Sequence, residues 1–193
     1  MAEFITGNRY LSQSEMETNA RYIYNYLGAR GWTTNAIAGM LGNFQTESSI
    51  NPGIWEGLKV NEGPGFGLVQ WTPYTKYTDW CSDLGIDPAH MDSALQRIEY
   101  ELENGLQYYS TGAYPETFTE FKNSTKSPNY LAMAFLANYE RPAEPNQPNR
   151  GTQAESWYEF LTGEPAPSDP VTPGKKKKGL PLFMMYLATK RKV

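Results

Sequence analysis

Cysteine and histidine are nearly missing from this 193-residue chain, with Cys81 and His90 the single examples of each. One cysteine makes no intrachain disulfide and no Cys-rich zinc site. Thiol–imidazole catalysis would need these two to meet and a third group to orient them. Cys81 lies in YTDWCSDL, the setting of a small packed hydrophobe, and His90 in DPAHMDSAL, a solvent-facing position near a helix start. HExxH, glycine-rich phosphate loops and EF-hand loops are absent as well. No metal and no cofactor is expected. The start, MAEFITGNRYL, lacks a basic stretch leading into an apolar run, so no signal peptide is expected. Long hydrophobic runs are scarce: LPLFMMYLA near the C-terminus is about half of the roughly 20 residues that a spanning helix requires.

What the chain does have is aromatic surface and divided charge. Aromatics make up 14% of residues, with 14 Tyr and 5 Trp, whose flat faces and polar edges suit either sugar binding or a core rim. Residues 1–174 hold 10 basic and 21 acidic residues, a net −11, whereas residues 175–193 carry +7 and no acid. Between the blocks, GEPAPSDPVTPG (163–174) reads as a Pro-rich extended linker. The expected organisation is a domain over 1–162, a linker over 163–174 and a basic, apolar tail over 175–193.

Within the domain the apolar spacing is helical almost throughout. Met16, Ala20, Ile23 and Leu27 form one stripe, with Ser14 and Glu17 as the expected capping box. Thr33 or Thr34 caps a second helix containing Ala36, Ile37, Met40, Leu41 and Phe44. Thr72-Pro73, Asp87-Pro88 and Ser127-Pro128 each offer an N-cap followed by Pro at N1. A last helix runs through Ala154, Trp157 and Leu161 to Gly163. The exception is 50–71, a glycine-rich insertion ending in a short β-prone run. The expected fold is mainly α (α+β), with this Gly-rich loop and short β segment following the second helix.

One carboxylate stands at that junction. In GNFQTESSINPG, Glu47 follows Phe44 by three residues, so both lie on one helix face and Glu47 borders the core. Asn51-Pro52-Gly53 then ends the helix. A carboxyl at a helix C-terminus meets the negative end of the macrodipole, and loss of water also disfavours charge. Both favour the protonated form, which a general acid for glycoside cleavage requires.

The acid at a helix end, the S-x-x-N-P-G turn and GFGLVQWT (65–72) together resemble the lysozyme-like superfamily, as does FLANYERP (135–142). Longer strings are similar to the phage tail lysozyme family: YLSQSEM, NARYIYNYL, AIAGMLGNFQTESSINPG, GFGLVQWTP, STKSPNYLAMAFLANYERPAEPNQPNRG and QAESWY, spanning about residues 9 to 161. The resemblance implies a lysozyme-like helical domain that cleaves peptidoglycan at the β-1,4 bond between N-acetylmuramic acid and N-acetylglucosamine. It implies Glu47 as catalytic acid and Gln70, Trp71 and Tyr139 as cleft-lining, substrate-binding positions. It also implies a virion, tail-tip location that fits delivery without a signal peptide, as an endolysin released through a holin would.

A two-carboxylate hydrolase needs a second acid across the sugar. Glu56 and Glu62, in the insertion, are the candidates. If neither reaches, the transglycosylase route remains, with the muramic C6 hydroxyl attacking internally and 1,6-anhydro products; a non-catalytic wall-binding or tail-structural module is the other alternative. The tail KKKKGLPLFMMYLATKRKV departs from relatives that carry a metallopeptidase domain there. Its lysines and arginines suit an anionic surface or another tail protein. Nucleic acid is not expected, because the acidic domain would repel it.

Overall fold

The structure, a computed structural model, describes residues 3–169. Seven α-helices lie among them: α1 (Gln13–Gly28), α2 (Thr34–Ser48), α3 (Thr75–Leu84), α4 (Met91–Glu103), α5 (Phe118–Lys122), α6 (Pro128–Phe135) and α7 (Asn149–Thr162). The mainly helical expectation holds. The β-prone run forms only two isolated antiparallel bridges, Trp55 with Phe66 and Phe66 with Trp71. No helix among the described residues is long and apolar enough to cross a membrane. The end of the linker and the basic tail, with the surface-attraction and docking expectations attached to them, lie outside the described residues.

Helix α2 is the axis of the fold. From Ala36 to Phe44 every residue is buried, so this helix has no solvent face over two and a half turns. It packs most extensively against α7 and α6, with α1 alongside. Phe44 meets Phe135 of α6 edge-to-face, ring centroids 6.0 Å apart. Glycines permit the close approach. A Cβ on Gly42 would stand 2.3 Å from the Arg150 carbonyl oxygen and 2.9 Å from the Ala154 amide nitrogen of α7. Alanine is the better helix former by about 1 kcal/mol, but here it would force two backbones apart. We therefore expect Gly42→Ala to lose about 1–3 kcal/mol net in urea unfolding; an unchanged midpoint would show that α7 does not need this approach.

Of the five helix starts that the sequence marks, two fall where expected and three are displaced for local reasons. The capping box on α1 is Ser12 with Glu15, not Ser14 with Glu17: the Glu15 carboxylate accepts the Ser12 backbone N–H at 2.8 Å and pairs with Arg9. Leu11 before the cap and Met16 at N4 are both buried, the hydrophobic staple that fixes this register. Helix α3 begins at Thr75, beyond Thr72-Pro73. Helix α4 begins at Met91, because His90 itself is the N-cap, its Nδ1 accepting the Asp92 N–H at 3.2 Å. His90 is half-buried against Phe4, centroids 4.5 Å apart, rather than solvent-facing. Thr33 caps α2 and Ser127 caps α6 as expected. Asp169, in the linker, folds back to accept both the Ser127 backbone N–H at 2.9 Å and its hydroxyl at 2.5 Å. The stretch expected to be a linker is thus held against the start of α6 at Asp169.

Candidate active site

The end of α2 is not a solvated helix terminus. Ser49 and Ile50 both take left-handed backbone, φ 51° and 56°, a costly conformation for a β-branched isoleucine. Hydrogen bonds to two other segments hold it there. The Ser48 hydroxyl donates to Leu68 O at 2.8 Å, tying the helix end to the glycine-rich insertion. The Ser49 hydroxyl accepts the Leu11 N–H at 2.9 Å, and the fully buried Asn51 amide donates to the Gly7 and Arg9 carbonyls at 2.7 Å each. S-S-I-N-P-G therefore encodes a pinned corner, and Glu47 projects from its last helical turn.

Glu47 borders an open cleft of about 700 Å³. The same cleft is lined by Glu56, Gln70 and Trp71 from the insertion, and by Tyr139 and Glu140 from beyond α6. Four of the five expected site positions besides Glu47, namely Glu56, Gln70, Trp71 and Tyr139, are thereby brought together with it. Glu56 is exposed at the cleft edge, whereas Glu62 is exposed on a turn and is not among the lining residues.

Gln70, Trp71 and Tyr139 are each held by their own polar atoms. Gln70 has φ 49°, and its amide donates to Gly67 O at 2.9 Å and Ile54 O at 3.2 Å, leaving Oε1 uncommitted to the turn. Trp71 is 3% exposed, stacks on Tyr77 with centroids 4.2 Å apart, and donates its indole N–H to Glu101 at 3.1 Å. Tyr139 donates its hydroxyl to the same Glu101 carboxylate. Trp71 and Tyr139 accordingly serve the core and present only an edge to the cleft. Glu101, in α4, also accepts the Arg97 Nε–H at 2.9 Å. Burial pushes the Glu101 carboxyl above its ordinary value, while its bonds from Tyr139, Arg97 and Trp71 pull the other way.

Sequence reasoning missed two residues that address Glu47. Arg150 of α7 is 4% exposed, and its guanidinium donates to Glu47 Oε1 at 2.6 Å, to Asn43 Oδ1 at 3.1 Å and to Gln147 Oε1 at 2.8 Å. Asn43 is in turn fixed by donating to the Ala132 carbonyl of α6 at 2.9 Å. This chain of bonds across α6, α2 and α7 orients Glu47 towards the cleft. The second residue is Glu140. It ends a π-helical turn, Leu136–Glu140, after which Arg141 takes left-handed backbone at φ 51°. Single π turns interrupting helices are rare and recur at functional sites. The letters were visible in FLANYERP, but a π turn leaves no residue signature, so only Tyr139 was legible there. Among the described residues, no group of three or more His, Cys, Asp or Glu side chains is arranged to hold a metal ion.

A family model described as phage tail lysozyme matches residues 18–161. Over 162 residues the chain is 59% identical to Morphogenesis protein 1 of Bacillus phage B103. The match covers 83% of this chain but 44% of that protein, so the chain spans less than half the length of this relative.

Proposed function

Because the chain belongs to the phage tail lysozyme family, we propose that it is a peptidoglycan-cleaving muramidase of a phage tail. It cuts the β-1,4 bond between N-acetylmuramic acid and N-acetylglucosamine to open the host wall, with Glu47 as general acid. The observation that carries this reading is Glu47 itself, half-buried on a pinned helix end and aimed by Arg150 into the largest cleft described. A glycosidic oxygen leaves readily only when protonated as its bond breaks, and a carboxyl held against one wall of a cleft supplies that proton. Gln70, Trp71 and Tyr139 shape the opposite walls; Gln70 Oε1 is the free acceptor for a sugar hydroxyl or acetamide N–H. The relative's printed name, a morphogenesis protein of a phage, fits a virion location and neighbours among tail proteins.

Glu56 and Glu140 are the other carboxyls that reach the cleft, so the chemistry of the cut ends is the deciding measurement. Mass spectrometry of sacculi digested by the purified protein should show new reducing N-acetylmuramic acid ends. Ends of the 1,6-anhydro type would replace hydrolysis by internal attack of the C6 hydroxyl. Intact glycan with bound protein would remove the enzymatic reading altogether.

A further inference from the structure

Of the two cleft carboxyls whose chemistry the preceding reading leaves unused, Glu56 is exposed and Glu140 is not. The Glu140 Oε1 is buried with no hydrogen-bond partner, an arrangement costly enough that buried carboxylates almost always avoid it. It is brought there by the π turn and the left-handed Arg141, both unfavourable backbone choices. A structural glutamate would be expected to find a donor, as Glu101 finds three. Glu140 instead lines the same cleft as Glu47.

The groups facing it come from several elements. Glu47 of α2, Arg150 of α7 and Glu101 of α4 act on its charge, and Glu56, Lys76 and Arg141 line the shared cleft. Arg150 is already committed to Glu47 at 2.6 Å. Of the two carboxyls, Arg150 bonds Glu47 and acts on Glu140 through its charge alone, and Glu140 Oε1 has no partner. Like charges in such a site cannot both ionise without cost, so the pair retains a proton.

We propose that Glu140 is the positioning partner of the catalytic acid, the two carboxyls holding one proton between them while Arg150 balances the remaining charge. The inference rests on Glu47 being the acid. In the resting arrangement the proton sits on Glu140 and Glu47 is the acceptor for Arg150. When sugar fills the cleft, the proton passes from the Glu140 carboxyl to the Glu47 carboxylate. Negative charge moves the opposite way, Arg150 now balances Glu140, and Glu47 has the proton that the leaving oxygen takes. Nothing is oxidised or reduced, and solvent restores the proton after turnover. Burial pushes the Glu140 carboxyl well above its ordinary value near 4.5; the Glu47 charge pushes it further, Arg150 pulls it back and Glu101 adds to the rise.

The sign for stability follows from this. A carboxyl that binds its proton more tightly when folded contributes fully below its unfolded value, and that contribution is lost as pH rises from about 4.5 through the raised value. Glu140→Gln should therefore melt higher than wild type at neutral pH.

The test has two arms. In the first, lysis of purified sacculi is followed from pH 4 to 9 with wild type, Glu140→Gln and Glu47→Gln. Removing Glu140 removes the carboxyl that stores the shared proton, so the alkaline limb of the Glu140→Gln profile should move down by about one pH unit or more. In the second, carboxyl ¹³C resonances are titrated by NMR in wild type and Glu47→Gln. The Glu140 midpoint should fall when the Glu47 charge is removed. An unmoved alkaline limb or an unmoved Glu140 midpoint overturns the proton-sharing proposal, even with Glu47→Gln inactive. Full activity of Glu47→Gln overturns the assignment of the acid instead. The NMR arm does not depend on the folding of Glu140→Gln.

Discussion

Glu47→Gln is expected to lose between about 10²- and 10⁴-fold in the rate of wall lysis, the usual contribution of a general acid, while keeping the wild-type fold. In free-energy terms this is roughly 3–5 kcal/mol of transition-state stabilisation. The substitution is close to isosteric, and the amide oxygen still accepts from Arg150, whose Nη2 lies 2.6 Å from Oε1. Asn43 and Gln147 continue to hold the other guanidinium nitrogens. No buried group is left unpaired, so the melting temperature should stay within a few degrees of wild type. What disappears is the proton. Measuring turbidity clearance of purified sacculi beside a thermal melt separates the two effects. Wild-type clearance by a folded Glu47→Gln protein would refute the acid role, and loss of both clearance and folding would show that the residue is structural.

The Glu47 corner was legible because everything that builds it is local. The spacing from Phe44 put the carboxyl at the core edge, and Asn51-Pro52-Gly53 marked the stop. What sequence did not disclose is that the corner is buried: Asn51 and Ser48 find their partners in residues 7–9 and at Leu68. The partners of Glu47 were illegible for a related reason. Arg150 is 103 positions away, and an arginine in PNQPNRG looks like any loop cation until α7 is folded onto α2. Gly42 held a hint, since a glycine inside a helix signals close packing, but it does not say against what. Glu140 was hidden by backbone geometry rather than distance. In a regular helix continuing α6, the positions after Phe135 would turn about 100° per residue; the π turn changes that rotation and swings Tyr139 and Glu140 to the cleft side.

The same limit explains the reading of Trp71 and Tyr139. The family resemblance implied walls for sugar at these two positions, and both do border the cleft. Their polar atoms, however, are spent on Glu101 of α4, a carboxylate that no motif in the sequence singles out. One buried carboxylate thus fixes two walls that come from segments 68 residues apart in sequence, Trp71 and Tyr139. The cleft is built on the core, not laid over it, and its shape is as stable as that carboxylate's hydrogen bonds.

Glu101→Ala should accordingly be the most destabilising single change in the described fold, at about 3–5 kcal/mol. Glu101 is 2% exposed and Arg97 9% exposed, and they form an ion pair at 2.9 Å. Removing the carboxylate leaves a buried guanidinium without its counter-charge, with only the faces of Trp80 and Tyr100, 5.5 and 5.3 Å away, to offset it. The Trp71 indole N–H and the Tyr139 hydroxyl lose their acceptor at the same time, each a desolvated donor left unmet. For a domain of this size such a loss lowers the melting temperature by on the order of 10 °C. Glu101→Gln keeps an acceptor oxygen for Arg97 and Trp71 and should lose about half as much, its amide turned towards Tyr139. The ranking matters more than either value: alanine worst, glutamine intermediate, wild type best, read by calorimetry at one pH. Lysis should fall in the same order even at temperatures where all three proteins are folded, because Trp71 and Tyr139 are then no longer fixed relative to Glu47. An alanine variant melting within about 2 °C of wild type would mean that Arg97 and the two aromatics find other partners, and that the cleft walls do not depend on this carboxylate.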